Sequence, residues 1–264
     1  MPMTAASAPA RGSSTDPVKA EPHWSSLTPE GAELRRHGFA GADLSMRVWR
    51  FAPRTLAVSS APLGGGIGPC EWAVNVQVPH SYDRRDPAEH LRELAASCEL
   101  RGPGVGMLTA VDVRHIWSAQ DGGVVADVSV GITWPTWAAA PEELAPDEVG
   151  DDVGGHVGDE VAGGSTVPLP APSPGTINVV AVVPARLSHA ALVNAAMTVT
   201  EAKAQALWDA GVEATGTASD AVCVACPATG DEEPFGGPRS RWGSRLARAV
   251  HRAVLAGCAG AAAS

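Results

Sequence analysis

Three groups of residues in this 264-residue chain have the types and spacing to do chemistry. The first is a polar stripe on a long helix. Residues from Ser188 to Ala210 read as one helix, opened by Ser188 and stopped by Gly211. At about 100° per residue, Asn194, Thr198, Glu201 and Gln205 fall within about 60° of one another. Val193, Met197, Ala204 and Trp208 lie on one flank; Leu192, Val199, Ala202 and Ala206 lie on the other. A helix apolar on both flanks is expected to be buried, so the stripe reads as a cavity lining with Glu201 as an acid or base. The plainer alternative is that the stripe faces solvent or satisfies neighbouring backbone groups. Lys203 falls across the helix from Glu201, so the two are not expected to act on one substrate atom.

The second group is Thr215-Gly216-Thr217-Ala218-Ser219-Asp220, between that helix and a short apolar strand. Its glycine, hydroxyls and terminal carboxylate could meet a ligand at a strand mouth, or form an ordinary capped turn. No lysine follows the glycine, so it is not a phosphate loop. The third group is polar residues inside apolar strands: Asn178 in Pro174-Gly175-Thr176-Ile177-Asn178, Asn75 in Ala73–Val78, and Asp112 in Met107–Val113. Such side chains are costly to bury unless hydrogen-bonded. Either they are structural or they share one polar pocket.

Other signals are weaker. Cys223-Val224-Ala225-Cys226 is a single CxxC on an apolar strand, where residues three apart face opposite sides, so zinc is not expected. Gly64-Gly65-Gly66-Ile67-Gly68 lacks the following helix of a dinucleotide fingerprint. There is no GxSxG or HExxH, and His80, His90, His115, His189 and His251 are dispersed.

These groups need a scaffold, and composition bounds it. Hydrophobic residues make up 45% of the chain and charged ones 18%, a globular balance. The net charge is −10, but eight acids lie between Pro141 and Glu160, leaving about −2 elsewhere. With no basic stripe, nucleic acid is not an expected partner. No stretch reaches the roughly 18 to 20 apolar residues of a membrane span, and Met1–Ser14 lacks the apolar core of a signal peptide. Five scattered cysteines do not make a disulfide framework, so a reduced, cytoplasmic protein is expected.

Strands are expected at Leu44–Phe51, Thr55–Ser60, Trp72–Val78, Thr176–Val183 and Ala221–Ala225. Val105–Val113 and Val124–Trp134 read as a pair around Asp121-Gly122-Gly123. Helices are expected from Asp86-Pro87 to Glu99, over Ser188–Ala210, and over Arg241–Leu255. The pattern predicts an α+β fold: one layered domain over 26–257, with a mixed or mostly antiparallel sheet packed by a few helices. Residues 1–25 and 258–264 read as tails, and 138–173 as an acidic, disordered insertion loop.

Six segments in series then resemble the adenosylcobinamide amidohydrolase family. They are Ser59–Gly66, Asn75–Pro79, Gly104–Asp112, Pro174–Asn178, Ala191-Leu192-Val193-Asn194-Ala195-Ala196 running into Thr198–Ala204, and Thr215–Val222. The resemblance covers roughly 40–255, departing from compact relatives at the acidic insertion. It implies hydrolysis of the amide joining the aminopropanol arm to the corrin ring of adenosylcobinamide. The products would be adenosylcobyric acid and 1-amino-2-propanol, in corrinoid salvage toward coenzyme B12. The corrinoid is substrate, so no separate cofactor and no protein-bound catalytic metal are expected.

An unactivated amide needs a nucleophile, an oxyanion donor and a proton for the leaving amine. The expected catalytic residues are Glu201 or Asp220 to activate water, and Asn178, Asn75 or N–H groups near Thr217 for the oxyanion. A covalent route would use Thr217 or Ser219. Expected substrate contacts are Asn75, Thr109, Asp112, Asn194, Thr198, Thr215, Thr217 and Ser219. A corrinoid-binding module without turnover is the alternative. The sequence is silent on oligomeric state.

Overall fold

A computed structural model describes residues 32–140 and 175–261. The 1–25 tail and nearly all of the acidic insertion lie outside them. Among the described residues, ten strands and three helices stack as four layers: a helix, two sheets face to face, and two helices. This is an α+β domain with mixed sheets.

The first sheet has the order β1-β2-β5-β6, from β1 (Glu33–Phe39), β2 (Ala42–Arg50), β5 (Trp72–Gln77) and β6 (Gly104–Thr109). Only β5 and β6 pair parallel. The second runs β4-β3-β10-β9-β8-β7, from β3 (Thr55–Ser59), β4 (Gly66–Pro69), β7 (Trp117–Asp121), β8 (Val124–Gly131), β9 (Thr176–Val182) and β10 (Ala221–Pro227). Here only β9 and β10 are parallel.

Side-chain alternation gives the central strands two apolar faces. On the outer face of the first sheet, Val48, Val74 and Val76 pack on Leu91 and Leu94 of α1 (Pro87–Ser97). Between the sheets, Trp49, Ala73 and Met107 meet Val180, Cys223 and Ala225. Beyond the second sheet, Val128, Val179 and Val224 pack on Leu192 and Val199 of α2 (His189–Asp209) and Leu246 and Val250 of α3 (Arg241–Ala261). Strands covered on both faces have no wet side, and all seven residues of β9 are buried.

The helices begin and end on the expected chemistry. Pro87 opens α1, although the Asp86 carboxylate turns to Arg84 instead of capping the helix. The Ser188 hydroxyl accepts from the Ala191 N–H at 3.0 Å, and Gly211 takes φ 76° just after α2. The last helix runs on to Ala261, past the expected stop at Leu255 and into the segment read as a tail.

One pairing differs from expectation. β6 and β8 lie in different sheets, and β8 forms its hairpin with β7 while its other neighbour is β9. Gly122 and Gly123 both adopt positive φ (53° and 89°), which closes a tight hairpin between Asp121 and Val124. The strand before that turn is Trp117–Asp121, and residues 110–116 carry the chain from one sheet to the other. Cys223 faces the other sheet and Cys226 the helices, the opposite-side arrangement expected of a CxxC on a strand.

Candidate active site

The loop Thr215–Asp220 joins the end of α2 to β10. Because β10 runs parallel to β9, Asp220 arrives beside the start of β9. There Asp220 Oδ1 accepts from the Ile177 N–H at 2.8 Å and from Thr217 Oγ1; Oδ2 accepts from the Thr217 N–H at 3.0 Å and from Lys203 Nζ. The side chains of Lys203 and Asp220 are only 8% and 10% exposed, so this is an ion pair largely withdrawn from water. Such a pair persists when further donors satisfy the carboxylate, as three do here. A Cβ on Gly216 would lie 2.4 Å from both Lys203 Nζ and Asp220 Oδ2. Only glycine lets the loop backbone pass this close.

Two more hydroxyls border the cluster. Thr176 Oγ1 and Ser219 Oγ are 2.8 Å apart, and Ser219 Oγ is 3.4 Å from the Gly175 carbonyl. The Thr217 hydroxyl donates to the Asp220 carboxylate, and Thr217 is half-buried. That is the geometry of a hydroxyl nucleophile beside its proton acceptor.

The same end of the sandwich holds a cavity of about 1050 Å³. One wall carries His80, Asp112, His115 and Trp117; another carries Gly131–Thr133, with Ala210 and Val212 beyond the end of α2. This volume is at the top of the range of about 300–1,000 Å³ usual for small-molecule sites. The wall and the loop share one segment. A Cβ on Gly175 would lie 2.5 Å from the Gly131 carbonyl oxygen, and three residues past Thr133 the Thr136 N–H donates to the Gly216 carbonyl at 2.8 Å. The Thr215 N–H returns a bond to the Thr136 carbonyl at 3.1 Å, and the Thr215 hydroxyl accepts from the Ala138 N–H at 2.9 Å. On the first wall, hydrogen bonds from Arg114 hold the Asp112 carboxyl below the usual carboxylate range. His115 Nδ1 stands 3.9 Å from that carboxylate.

The sequence-predicted residues divide between this site and the scaffold. Asp220, Thr217, Ser219 and Thr215 gather in the loop, and Asp112 lines the cavity. Asn75 and Asn178 meet, but between the sheets: Asn178 Nδ2 donates to Asn75 Oδ1 at 2.9 Å and to the Leu108 carbonyl at 3.0 Å. Asn178 Oδ1 accepts from the Ala221 N–H, and Asn75 Nδ2 donates to Ser129 Oγ. Both are buried with their amides engaged, so they tie sheet to sheet. Thr109 is also buried, accepting from the Val111 N–H in the turn after β6.

The α2 stripe is divided. Thr198 donates to the Gly236 carbonyl at 3.1 Å, while Asn194, Glu201 and Gln205 are exposed. The stripe lines neither this cavity nor a smaller one of about 520 Å³ beside Gly64–Gly68. Lys203 is two positions past Glu201, about 200° around the helix, so Glu201 points away from Asp220. The expectation that α2 is buried on both flanks fails for the same reason: Val193, Met197 and Trp208 face out.

Sequence reasoning placed Lys203 across the helix from Glu201 but missed its pairing with Asp220, although it is a lone cation among Ala202, Ala204 and Ala206 on a mostly apolar helix. It also passed over Asp127, buried against the Trp49 indole N–H (2.7 Å) and the Ser118 hydroxyl, whose carboxyl is pushed up by burial. Among the described residues no three His, Cys, Asp or Glu side chains gather as a metal site, and no described helix is long and apolar enough to cross a membrane.

Comparison with known proteins places this geometry in context. The family model described as adenosylcobinamide amidohydrolase matches residues 28–263. A protein of Methanosarcina mazei named adenosylcobinamide amidohydrolase is 28% identical over 207 residues, covering 75% of this chain and 88% of its own. One of the same name from Halobacterium salinarum is 31% identical over 194 residues, covering 73% and 75%. No solved structure matches.

Proposed function

Because the chain belongs to the adenosylcobinamide amidohydrolase family, we propose that it hydrolyses the amide between the aminopropanol arm and the corrin ring of adenosylcobinamide. The products are adenosylcobyric acid and 1-amino-2-propanol, and the reaction returns salvaged corrinoid to coenzyme B12 synthesis. The observation that carries the reading is the Lys203–Asp220–Thr217 cluster, whose loop is hydrogen-bonded through Gly216 to Thr136, three residues past the Gly131–Thr133 wall of a cavity large enough for a bulky substrate. The corrin occupies the cavity, and its arm crosses the Gly131–Thr133 wall toward Thr217.

Thr217 Oγ1 attacks the amide carbonyl carbon, and its proton passes to Asp220 Oδ1, to which it already donates. The tetrahedral oxyanion is met by the hydroxyls of Ser219 and Thr176. The C–N bond breaks as the amine takes the proton from Asp220. Water then attacks the ester on Thr217, giving its proton to Asp220 and thence to the departing threonine oxygen. Lys203 keeps the Asp220 side chain aimed at Thr217 throughout. Asn178 and Asn75 act indirectly, by fixing the start of β9 and β10 against β5.

The test is mass spectrometry of the protein incubated with adenosylcobinamide. Product in excess of enzyme is expected, with Thr217→Ala and Asp220→Asn each lowering turnover by about 10²–10⁴. Binding without product would favour a corrinoid carrier. Near-normal turnover by folded Thr217→Ala, with Asp220→Asn inactive, would replace the covalent route with direct attack by water.

A further inference from the structure

The wall with His80, Asp112 and His115 puts metal-binding side-chain types on a cavity otherwise lined mostly by apolar groups. His115 has a carboxylate behind its ring. Its Nδ1 stands 3.9 Å from Asp112 Oδ2, and among the described residues no hydrogen bond engages its Nε2. With Nδ1 as the N–H turned to the carboxylate, Nε2 is left as the ring's metal donor. At 3.9 Å the ring is just outside hydrogen-bond range, and a small rotation of this exposed side chain closes the gap. The turn beneath it is held in place. Arg47 of β2 donates to the Val113 and Arg114 carbonyls at 2.9 and 2.8 Å, and Val113 is fully buried. The Asp112 carboxylate accepts from the Arg114 N–H at 2.9 Å, and the His115 N–H donates to the Asp112 carbonyl at 3.3 Å. A fixed backbone of this kind places a functional side chain accurately.

We propose that His115 Nε2 binds the cobalt of the corrinoid as an axial ligand, with Asp112 as the carboxylate behind the imidazole. This rests on the reading that the corrin enters this cavity. The donor count favours such a metal over a free ion. A free ion is usually held by three or more protein side chains, and among the described residues no such set gathers. One imidazole backed by a carboxylate suits a metal whose macrocycle already fills its equatorial positions, as a proximal histidine suits haem iron. In adenosylcobinamide the corrin nitrogens take the equatorial positions and the adenosyl carbon takes one axial position. No nucleotide base is attached, so water holds the other. Nε2 replaces that water: the Co–O bond breaks, the Co–N bond forms, and no electron is transferred.

The bond also orients the substrate. A Co–N axial bond stands perpendicular to the corrin plane, so it lays one face of the macrocycle against the Asp112–His115 wall. The ring edge, where the amide arm is attached, then turns to the adjoining wall. A Cβ on Gly131 would lie 2.2 Å from Val111 Cγ2, so Gly131–Thr133 begins directly beside the segment that carries His115.

Electron paramagnetic resonance of the full chain with cob(II)inamide tests the proposal. The unpaired electron of this probe lies along the axial direction, so a nitrogen ligand splits each cobalt line into a triplet and water does not. The triplet is expected, and it should become a doublet when the protein carries nitrogen-15 histidine. His115→Ala should abolish it and weaken cob(II)inamide binding by about 10-fold or more in an absorbance titration. His80→Ala, on the same wall, should keep the triplet. Both side chains are exposed, so a circular dichroism spectrum like that of the parent is the control for folding. Binding without a triplet, a triplet indifferent to the label, or one that survives in folded His115→Ala would overturn the assignment and leave the hydrolase reading standing. Failure to bind cob(II)inamide would overturn it too; absence of product from adenosylcobinamide as well would take the hydrolase reading with it.

Discussion

Removing one member of the Lys203–Asp220 pair should cost far more than removing both charges together would imply. Lys203→Met leaves the Asp220 carboxylate in a site that is only 10% exposed, but still holding the N–H groups of Ile177 and Thr217 and the Thr217 hydroxyl. Breaking a buried pair costs about 3–5 kcal/mol, and three remaining donors place this variant near 3 kcal/mol. Asp220→Asn leaves an ammonium without its counter-charge and turns an amide NH₂ toward a group of donors, so about 4–5 kcal/mol is expected. The double variant carries neither charge, and the single costs should exceed its cost by about 3 kcal/mol. Urea unfolding of the four proteins at pH 7 measures that coupling through their midpoints and slopes. Repeating it from 0.1 to 1 M NaCl should change it little, because a buried pair is weakly screened. Additivity within about 0.5 kcal/mol would refute the reasoning, since independent side chains do not couple.

Three further outcomes follow from the geometry. Gly216→Ala places a methyl against Lys203 Nζ and Asp220 Oδ2, so it should destabilise by about 1–3 kcal/mol and depress turnover in a steady-state assay. Asn178→Ala strips partners from Asn75 Oδ1, the Leu108 carbonyl and the Ala221 N–H; thermal unfolding should report a loss of about 2–4 kcal/mol with the secondary-structure signal retained. Bonds from Arg248 and Arg252 lower the Asp121 carboxyl to about 2. A carboxyl depressed on folding stabilises above its ordinary value near 3.8 and loses that contribution as pH falls through about 2. Asp121→Asn should therefore flatten the melting temperature between pH 4 and 2, by an amount kept under about 1 kcal/mol by surface screening.

Much of the frame was legible in the residues alone. Local signals have local causes: Pro87 starts a helix because it needs no N–H partner, and Gly211 follows α2 because it accepts a left-handed φ. Asp121-Gly122-Gly123 marked a hairpin, but not which strand preceded it. Pairing depends on where a chain segment travels after it leaves a sheet, and the apolar runs of β6 and β8 look alike whichever sheet holds them. The same limit governed α2. An apolar flank reads identically whether a sheet, another helix or a second molecule covers it, so the open face at Val193, Met197 and Trp208 was invisible.

The candidate site divides along the same line. The sequence by itself determined its ingredients, because the hydroxyl, glycine and carboxylate of Thr215–Asp220 are neighbours in the chain and chain neighbours stay together in any fold. It also determined that Asn75 and Asn178 needed partners, since an amide in an apolar strand cannot be left bare. Only the tertiary structure decided what those groups face. The parallel pairing of β9 and β10 brings Asp220 to Ile177, the packing of α2 delivers Lys203 from 17 residues away in the chain, and the crossing from β6 to β7 sets Asp112 and His115 on the cavity wall. Those contacts depend on rigid-body placement of whole elements, which no local spacing encodes.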